Sequence, residues 1–284
     1  MARDLRPGTL SLTRDRVPQV LVFRVAAKQR VPYSASMRLL RVSTSEETDG
    51  DTPSEERFGA IATDVLERST GERVEVLTRV GWPDARLPVA VDRWLNDFRP
   101  DLVYFKTMSF PVCVQTVATR LLGTHTRLGA IAGTAGRMPV VARAFPRIPG
   151  AGGVQRLVRR SVGVAALIEP EEMVRIVEAC IRAVVRRENV GLAVRAPYRP
   201  VYVVAPGARI VADARWAAFH EPVAALCRSL SVEYVDEEVD WDDERTLRLR
   251  APDGLHLNAA GHRAHGQADG DAPVRAWRRC AVLS

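Results

Sequence analysis

Asp253 and His256 stand three residues apart in the run Asp253-Gly254-Leu255-His256-Leu257-Asn258-Ala259-Ala260-Gly261-His262 near the C-terminus. One loop can carry both side chains at that spacing, so the carboxylate can hold the imidazole in one tautomer and stabilise its cation. An acyl-transfer base needs this. Asn258 can then cap a helix entered through Ala259 and Ala260, which would fix the exit of the loop. A D-x-x-H pair also arises by chance on surface loops, so its meaning depends on a nucleophile elsewhere in the chain.

The other candidate ligands and nucleophiles carry less. His125 and His220 show no partner pattern and read as ordinary loop and helix residues. His262 and His265 could join His256 and Asp253 as a metal cluster, but His256 precedes the helix and His262 lies within it, with no second acid placed beside them. No metal site and no cofactor are expected. Gly150-Ala151-Gly152-Gly153 opens no strand-to-helix turn and is not a phosphate loop. Cys113, Cys180, Cys227 and Cys280 are scattered without zinc or C-x-x-C spacing, which favours reduced, buried thiols.

The elements that must position these residues follow from periodicity. Apolar strand patterns fall at 19–25, 73–77, 102–106, 200–204 and 231–235, and helical patterns at 57–68, 87–98 and 213–230, with a terminal helix after Asn258. Strands alternating with helices predict an α/β protein: a three-layer α/β/α sandwich around a central parallel five-stranded sheet, with the first strand interior. Residues 43–56 are polar and read as a loop. Between about 112 and 190 the alternation stops, and a helical insertion is expected to lie partly over the strand ends as a lid. Its clearest helix begins at Glu169-Pro170-Glu171-Glu172, after which Met173, Ile176, Val177, Cys180, Ile181 and Val184 recur at helical spacing as a packing face. The whole chain, 1–284, reads as one domain. Open parallel sheets bind ligands at the carboxyl ends of their strands, so the loops there are the ones to inspect.

The C-terminal run resembles the last sequence block of the SGNH (GDSL) hydrolases, whose Asp and His complete a Ser-His-Asp triad. The resemblance covers most of the chain outside the helical insertion. It implies a flavodoxin-like sheet and an ester hydrolase or acyl transferase acting on a small-molecule ester. In that family the first strand ends in Gly-Asp-Ser; here the run 19–25 is followed by Ala26-Ala27, so Ala26 falls at the serine. An alanine cannot attack a carbonyl. Ser34 and Ser36 lie close behind and could return over the strand end as a displaced nucleophile, or cap a helix at 37–40. The second block resembles Arg79-Val80-Gly81-Trp82-Pro83 and offers Gly81 as a backbone oxyanion donor, or as a turn glycine. The third block, Gly-x-Asn-Asp in the family, is replaced by Lys106-Thr107-Met108-Ser109, where Ser109 or Thr107 could donate one hydrogen bond or simply cap a turn. The same departures support a second expectation, a catalytically inactive SGNH-fold protein that binds a ligand or partner.

Composition removes other classes. The net charge of +7 comes almost wholly from arginine, since Lys28 and Lys106 are the only lysines, and the Arg pairs are dispersed without aromatic interleaving. Nucleic-acid binding is not expected. No run of eighteen uncharged apolar residues occurs and the first residues carry no apolar signal segment, so a membrane span is not expected and a cytoplasmic location is.

Overall fold

A computed structural model of the protein describes residues 36–47, 52–113, 167–203, 206–252 and 256–283. Five parallel strands, β1 (Met37–Ser43), β2 (Val74–Val80), β3 (Leu102–Lys106), β4 (Gly191–Arg195) and β5 (Glu233–Val235), form one sheet in the order β2-β1-β3-β4-β5. The helices are α1 (Phe58–Thr70), α2 (Leu87–Phe98), α3 (Phe110–Cys113), α4 (Pro170–Val185), α5 (Pro206–Ser229), α6 (Asp243–Arg248) and α7 (Ala259–Leu283).

Alternation along the strands divides the core into two layers. Leu40 and Val42 of β1, Val103 and Phe105 of β3, and Leu192 and Val194 of β4 pack against α2, α4 and α5. Met37, Leu39, Leu102, Tyr104 and Ala193 face the other way, towards α1 and α7. The result is the expected three-layer α/β/α sandwich. On the α1/α7 face the helices pack close to one another and to the sheet. A Cβ at Gly266 or Gly270 of α7 would stand 2.7 or 2.5 Å from a side-chain carbon of α1, Ile61 or Val65.

Three expectations from the sequence change. Residues 37–40, read as a possible helix, open the strand β1; the interrupting Arg41 is satisfied inside the fold, where its guanidinium donates to the Gly59 carbonyl and the Thr63 hydroxyl at 2.7 Å each. The run 19–25, taken for the first strand, lies outside the described residues, and β1 holds the interior position between β2 and β3. The fourth strand is Gly191–Arg195 rather than 200–204, where Val201 and Tyr202 form a turn. Every residue of β4 is buried, but its glycine and terminal arginine conceal a strand pattern.

The helical insertion is also revised where it is described. α4 packs against both α2 and α5 and buries Met173, Ile176, Val177 and Ile181 in the sheet-facing core. It is a layer helix and not a lid. Its start agrees with the sequence, with Pro170 in the first turn and Glu171 and Glu172 behind it. Residues 114–166 lie outside the described residues.

Candidate functional site

Strand order reverses at β1, with β2 on one side and the later strands on the other. In open parallel sheets this arrangement leaves a crevice at the carboxyl ends of β1 and β3. β1 ends at Ser43, and after Thr44 the chain enters a 3-10 turn, Ser45–Glu47, closed by the Glu47 N–H donating to the Thr44 carbonyl at 3.2 Å. The turn is fastened from below. Arg41 Nη1 lies 2.5 Å from Glu47 Oε1, and Arg57 donates to the Glu47 carbonyl at 2.7 Å. Gly59 makes room for this, because a Cβ there would stand 1.8 Å from Glu47 Oε1.

β3 delivers Lys106 to the same edge. Its ammonium lies 2.6 Å from Glu46 Oε2 and 2.7 Å from the Tyr198 hydroxyl. Burial works against the charge on Glu46, but Lys106, Arg250 and His256 outweigh it and hold this carboxyl below the usual carboxylate range. The half-buried His256 is thus within electrostatic reach of Glu46, the residue after Ser45.

The loop bearing His256 is tied down by its backbone. Leu257 bridges Arg250, and the Ala251 N–H donates to the His256 carbonyl at 2.7 Å. Asn258 caps α7 as its type suggested, accepting the Gly261 N–H on Oδ1 at 2.9 Å. Its Nδ2 donates to the carbonyls of Arg248 and Arg250 at 2.8 and 3.0 Å. Asp253 lies outside the described residues.

A buried ionic cluster underlies this edge on the α1/α7 face. Arg195, at the end of β4, contacts Asp269 and His265 of α7 and Glu237 of the turn Glu237–Asp240. Arg250 lies 2.5 Å from Glu238 Oε1, and both side chains are buried. His265 therefore lies between Arg195 and the two glutamates, Glu237 and Glu238. His262 accepts the Phe58 N–H on Nδ1 at 3.3 Å and stacks on the Phe58 ring, so it serves the start of α1. His220, read as an ordinary helix residue, pairs instead with Asp236 at 2.5 Å and stacks on Trp216.

The remaining candidates divide. Ser34 lies outside the described residues. Ser36 is exposed just before the amino end of β1, a whole strand away from the carboxyl edge. Gly81 follows β2 as expected, but its N–H donates to the Ser43 carbonyl at 3.3 Å, because the pairing of β1 with β2 runs on past Val80. In this conformation its N–H is engaged and is not presented to an oxyanion. The Thr107 hydroxyl donates to the Arg195 carbonyl at 2.7 Å and joins β3 to β4. Ser109 is buried before α3, and its carbonyl accepts the N–H groups of Val112 and Cys113 at 2.9 Å each.

Ser45, which follows the carboxyl end of β1, is not among the serines singled out from the sequence. Its signal was the string Val42-Ser43-Thr44-Ser45, which has a serine where a Gly-Asp-Ser block would carry one, but only if β1 begins at Met37.

No protein-family model and no curated protein matches the sequence. Solved structures do. LAE5, an alpha/beta hydrolase enzyme from the metagenome of Lake Arreo, Spain, is similar with a TM-score of 0.50 and 15% identity, over 89% of this chain and 98% of that one. A protein described as a GDSL-like lipase from Parabacteroides merdae has a TM-score of 0.50 and 10% identity, over 86% of this chain and 99% of that one. A member of the lipolytic protein G-D-S-L family from Veillonella parvula has a TM-score of 0.48 and 9% identity, over 86% of this chain and all (100%) of that one. The chain has the three-layer α/β/α fold of the SGNH (GDSL) hydrolases.

Proposed function

We propose that the protein is a GDSL-type ester hydrolase in which Ser45, not Ser34 or Ser36, is the nucleophile and His256 its general base. The observation that carries this reading is the placement of Ser45. It opens the turn at the carboxyl end of β1, at the point where strand order reverses, and its neighbour Glu46 is within electrostatic reach of His256.

The chemistry balances in two steps. The serine oxygen bonds to the ester carbonyl carbon as His256 takes its proton; the C–O bond to the alcohol then breaks and the imidazolium returns the proton to the leaving oxygen. Water, deprotonated by His256, attacks the acyl carbon; the bond from that carbon to the Ser45 oxygen breaks, the acid leaves and the imidazolium returns the proton to Ser45. Asp253, three residues upstream, would orient the imidazole and stabilise its cation. With Gly81 and Thr107 engaged elsewhere, Ser109 is the donor to the oxyanion that remains from the third block.

A fluorophosphonate probe tests the assignment. A covalent adduct on Ser45, lost in Ser45→Ala and in His256→Ala, is the expected result, with turnover of short acyl esters lost in parallel. An adduct on Ser34 or Ser36 would refute Ser45. The second reading, an inactive ligand-binding protein of this fold, is favoured by the engaged Gly81 N–H and the absence of the family's third-block Asn. Folded protein that takes no probe on any serine and leaves a panel of esters intact would establish it.

A further inference from the structure

The residue after Ser45 is a glutamate, and its surroundings keep it charged and fixed. Lys106 and Glu46 have side chains 1% and 9% exposed and lie 2.6 Å apart. The Lys106 ammonium stands 4.0 Å from the centroid of the Phe58 ring and 4.3 Å from that of Tyr198, so it is held between two aromatic faces while it bonds Glu46 and the Tyr198 hydroxyl. Arg250 also lies over the Tyr198 ring, 4.1 Å from its centroid, and bridges Leu257, the residue after His256. Glu46, Lys106, Tyr198 and Arg250 therefore make a continuous chain of contacts, buried except at the half-buried Tyr198, from the turn at Ser45 to the loop carrying His256.

A buried ion pair is a poor way to stabilise a core, because desolvation cancels most of the attraction and an apolar pair of the same volume does as well. Its position gives it another use. We propose that Glu46 is a positioning residue for His256: its carboxylate, fixed by Lys106, stabilises the imidazolium formed when His256 takes a proton. The proposal rests on the hydrolase reading above and assigns a second carboxylate to the histidine, from the nucleophile's own turn, beside Asp253 of the histidine's loop.

Other charges face this centre from each element around it. Lys106 comes from β3, Arg250 from the segment after α6, His262 from α7, and Glu47 from the same turn, where it is paired with Arg41. The first three remain in every variant below except where named, so the sign of the response is set by the group removed.

The experiment is an NMR titration of the His256 imidazole, assigned by its loss in His256→Asn, in the full chain and in Glu46→Gln and Lys106→Met. Removal of the carboxylate withdraws support from the cation, and the midpoint falls by about half a pH unit or more; removal of the ammonium leaves Glu46 unneutralised, and the midpoint rises by a similar amount. The acid limb of kcat/KM for ester hydrolysis moves in the same two directions, which a merely structural ion pair would not produce. If a single variant fails to fold, Glu46→Gln/Lys106→Met leaves no unpaired buried charge, and its midpoint is expected to fall because the carboxylate is the group that acts on the imidazole. Midpoints that stay put in folded variants, or that move in one common direction, overturn the proposal. Since the titration needs no substrate, absence of ester turnover would count against the hydrolase reading and leave the measurement on Glu46 intact.

Discussion

Arg195 Nη1 lies 2.7 Å from Asp269 Oδ1, with the two side chains 1% and 0% exposed. The pair fastens the end of β4 to α7 beneath the carboxyl edge, on the same face as Lys106 and one strand away from it. Cross-strand neighbours in parallel register, Lys106 and Arg195 would repel each other in the core without their separate acids. Glu46 answers the first, and Asp269 with Glu237 the second.

Loss of Asp269 leaves the buried Arg195 with Glu237 as its remaining carboxylate. Asp269→Ala is expected to destabilise the protein by about 3–5 kcal/mol, read from the urea unfolding midpoint. Arg195→Met/Asp269→Leu should recover part of that loss, because neither of these two buried charges then remains to be desolvated and Glu237, which loses Arg195, is partly exposed. A double variant as unstable as the single one would show that the pair stabilises the fold outright.

Acid should unfold the protein in two stages. Burial, helped by Lys106 and Arg57 and opposed by Glu46, pushes the His262 imidazole down to about 4 from 6.5. The folded state thus binds this proton more weakly than the unfolded chain, so the stability involved is complete above pH 6.5 and is lost as pH falls towards 4. For Glu238, burial opposes the charge, but Arg250 and His265 hold the carboxyl at about 2 against 4.5. Its contribution is complete above pH 4.5 and is lost as pH falls towards 2. Urea midpoints measured from pH 8 to 2 should show both declines. His262→Gln, which keeps an acceptor for the Phe58 N–H, should flatten the first and spare the second, and an unchanged slope between pH 6.5 and 4 would assign that decline elsewhere.

Glycine in a helix interior usually costs about 1 kcal/mol relative to alanine. At Gly266 and Gly270 the sign should reverse, since a Cβ would meet the Ile61 or Val65 side chain at 2.7 or 2.5 Å. Gly270→Ala is expected to destabilise by about 1–3 kcal/mol, and Gly207→Ala, where a Cβ meets nothing within 4 Å, to be neutral or stabilising. Thermal melts of the two variants decide the matter by their opposite shifts.

Thiol chemistry should separate the cysteines by burial. Cys113, Cys180 and Cys227 are buried and their thiols pushed up to about 12, chiefly by desolvation. At pH 8 a water-soluble thiol reagent should leave all three unmodified in the folded protein and modify them on addition of denaturant. Rapid modification of any of them under native conditions would mean that the core around α4 and α5 opens readily.

What the sequence determined by itself was local. Period and punctuation marked α2, β3, the start of α4 at Pro170 and the capping of α7 by Asn258, because each signal is carried by residues a few positions apart. The Asp253/His256 spacing and the SGNH resemblance came from the same kind of contiguous pattern, and the fold agrees with that resemblance. Tertiary structure decided which strand is interior among the described residues, between β2 and β3, and hence that Ser45 follows its carboxyl end. Met37–Ser43 and Gly191–Arg195 were concealed by arginines that read as solvent-facing, and only distant partners make those arginines interior residues. Arg41 is satisfied by Glu47, Gly59 and Thr63, and Arg195 by Glu237, His265 and Asp269. A buried charge is acceptable once its counter-charge is in place, and a linear reading of hydrophobicity has no access to a counter-charge that lies 74 residues away.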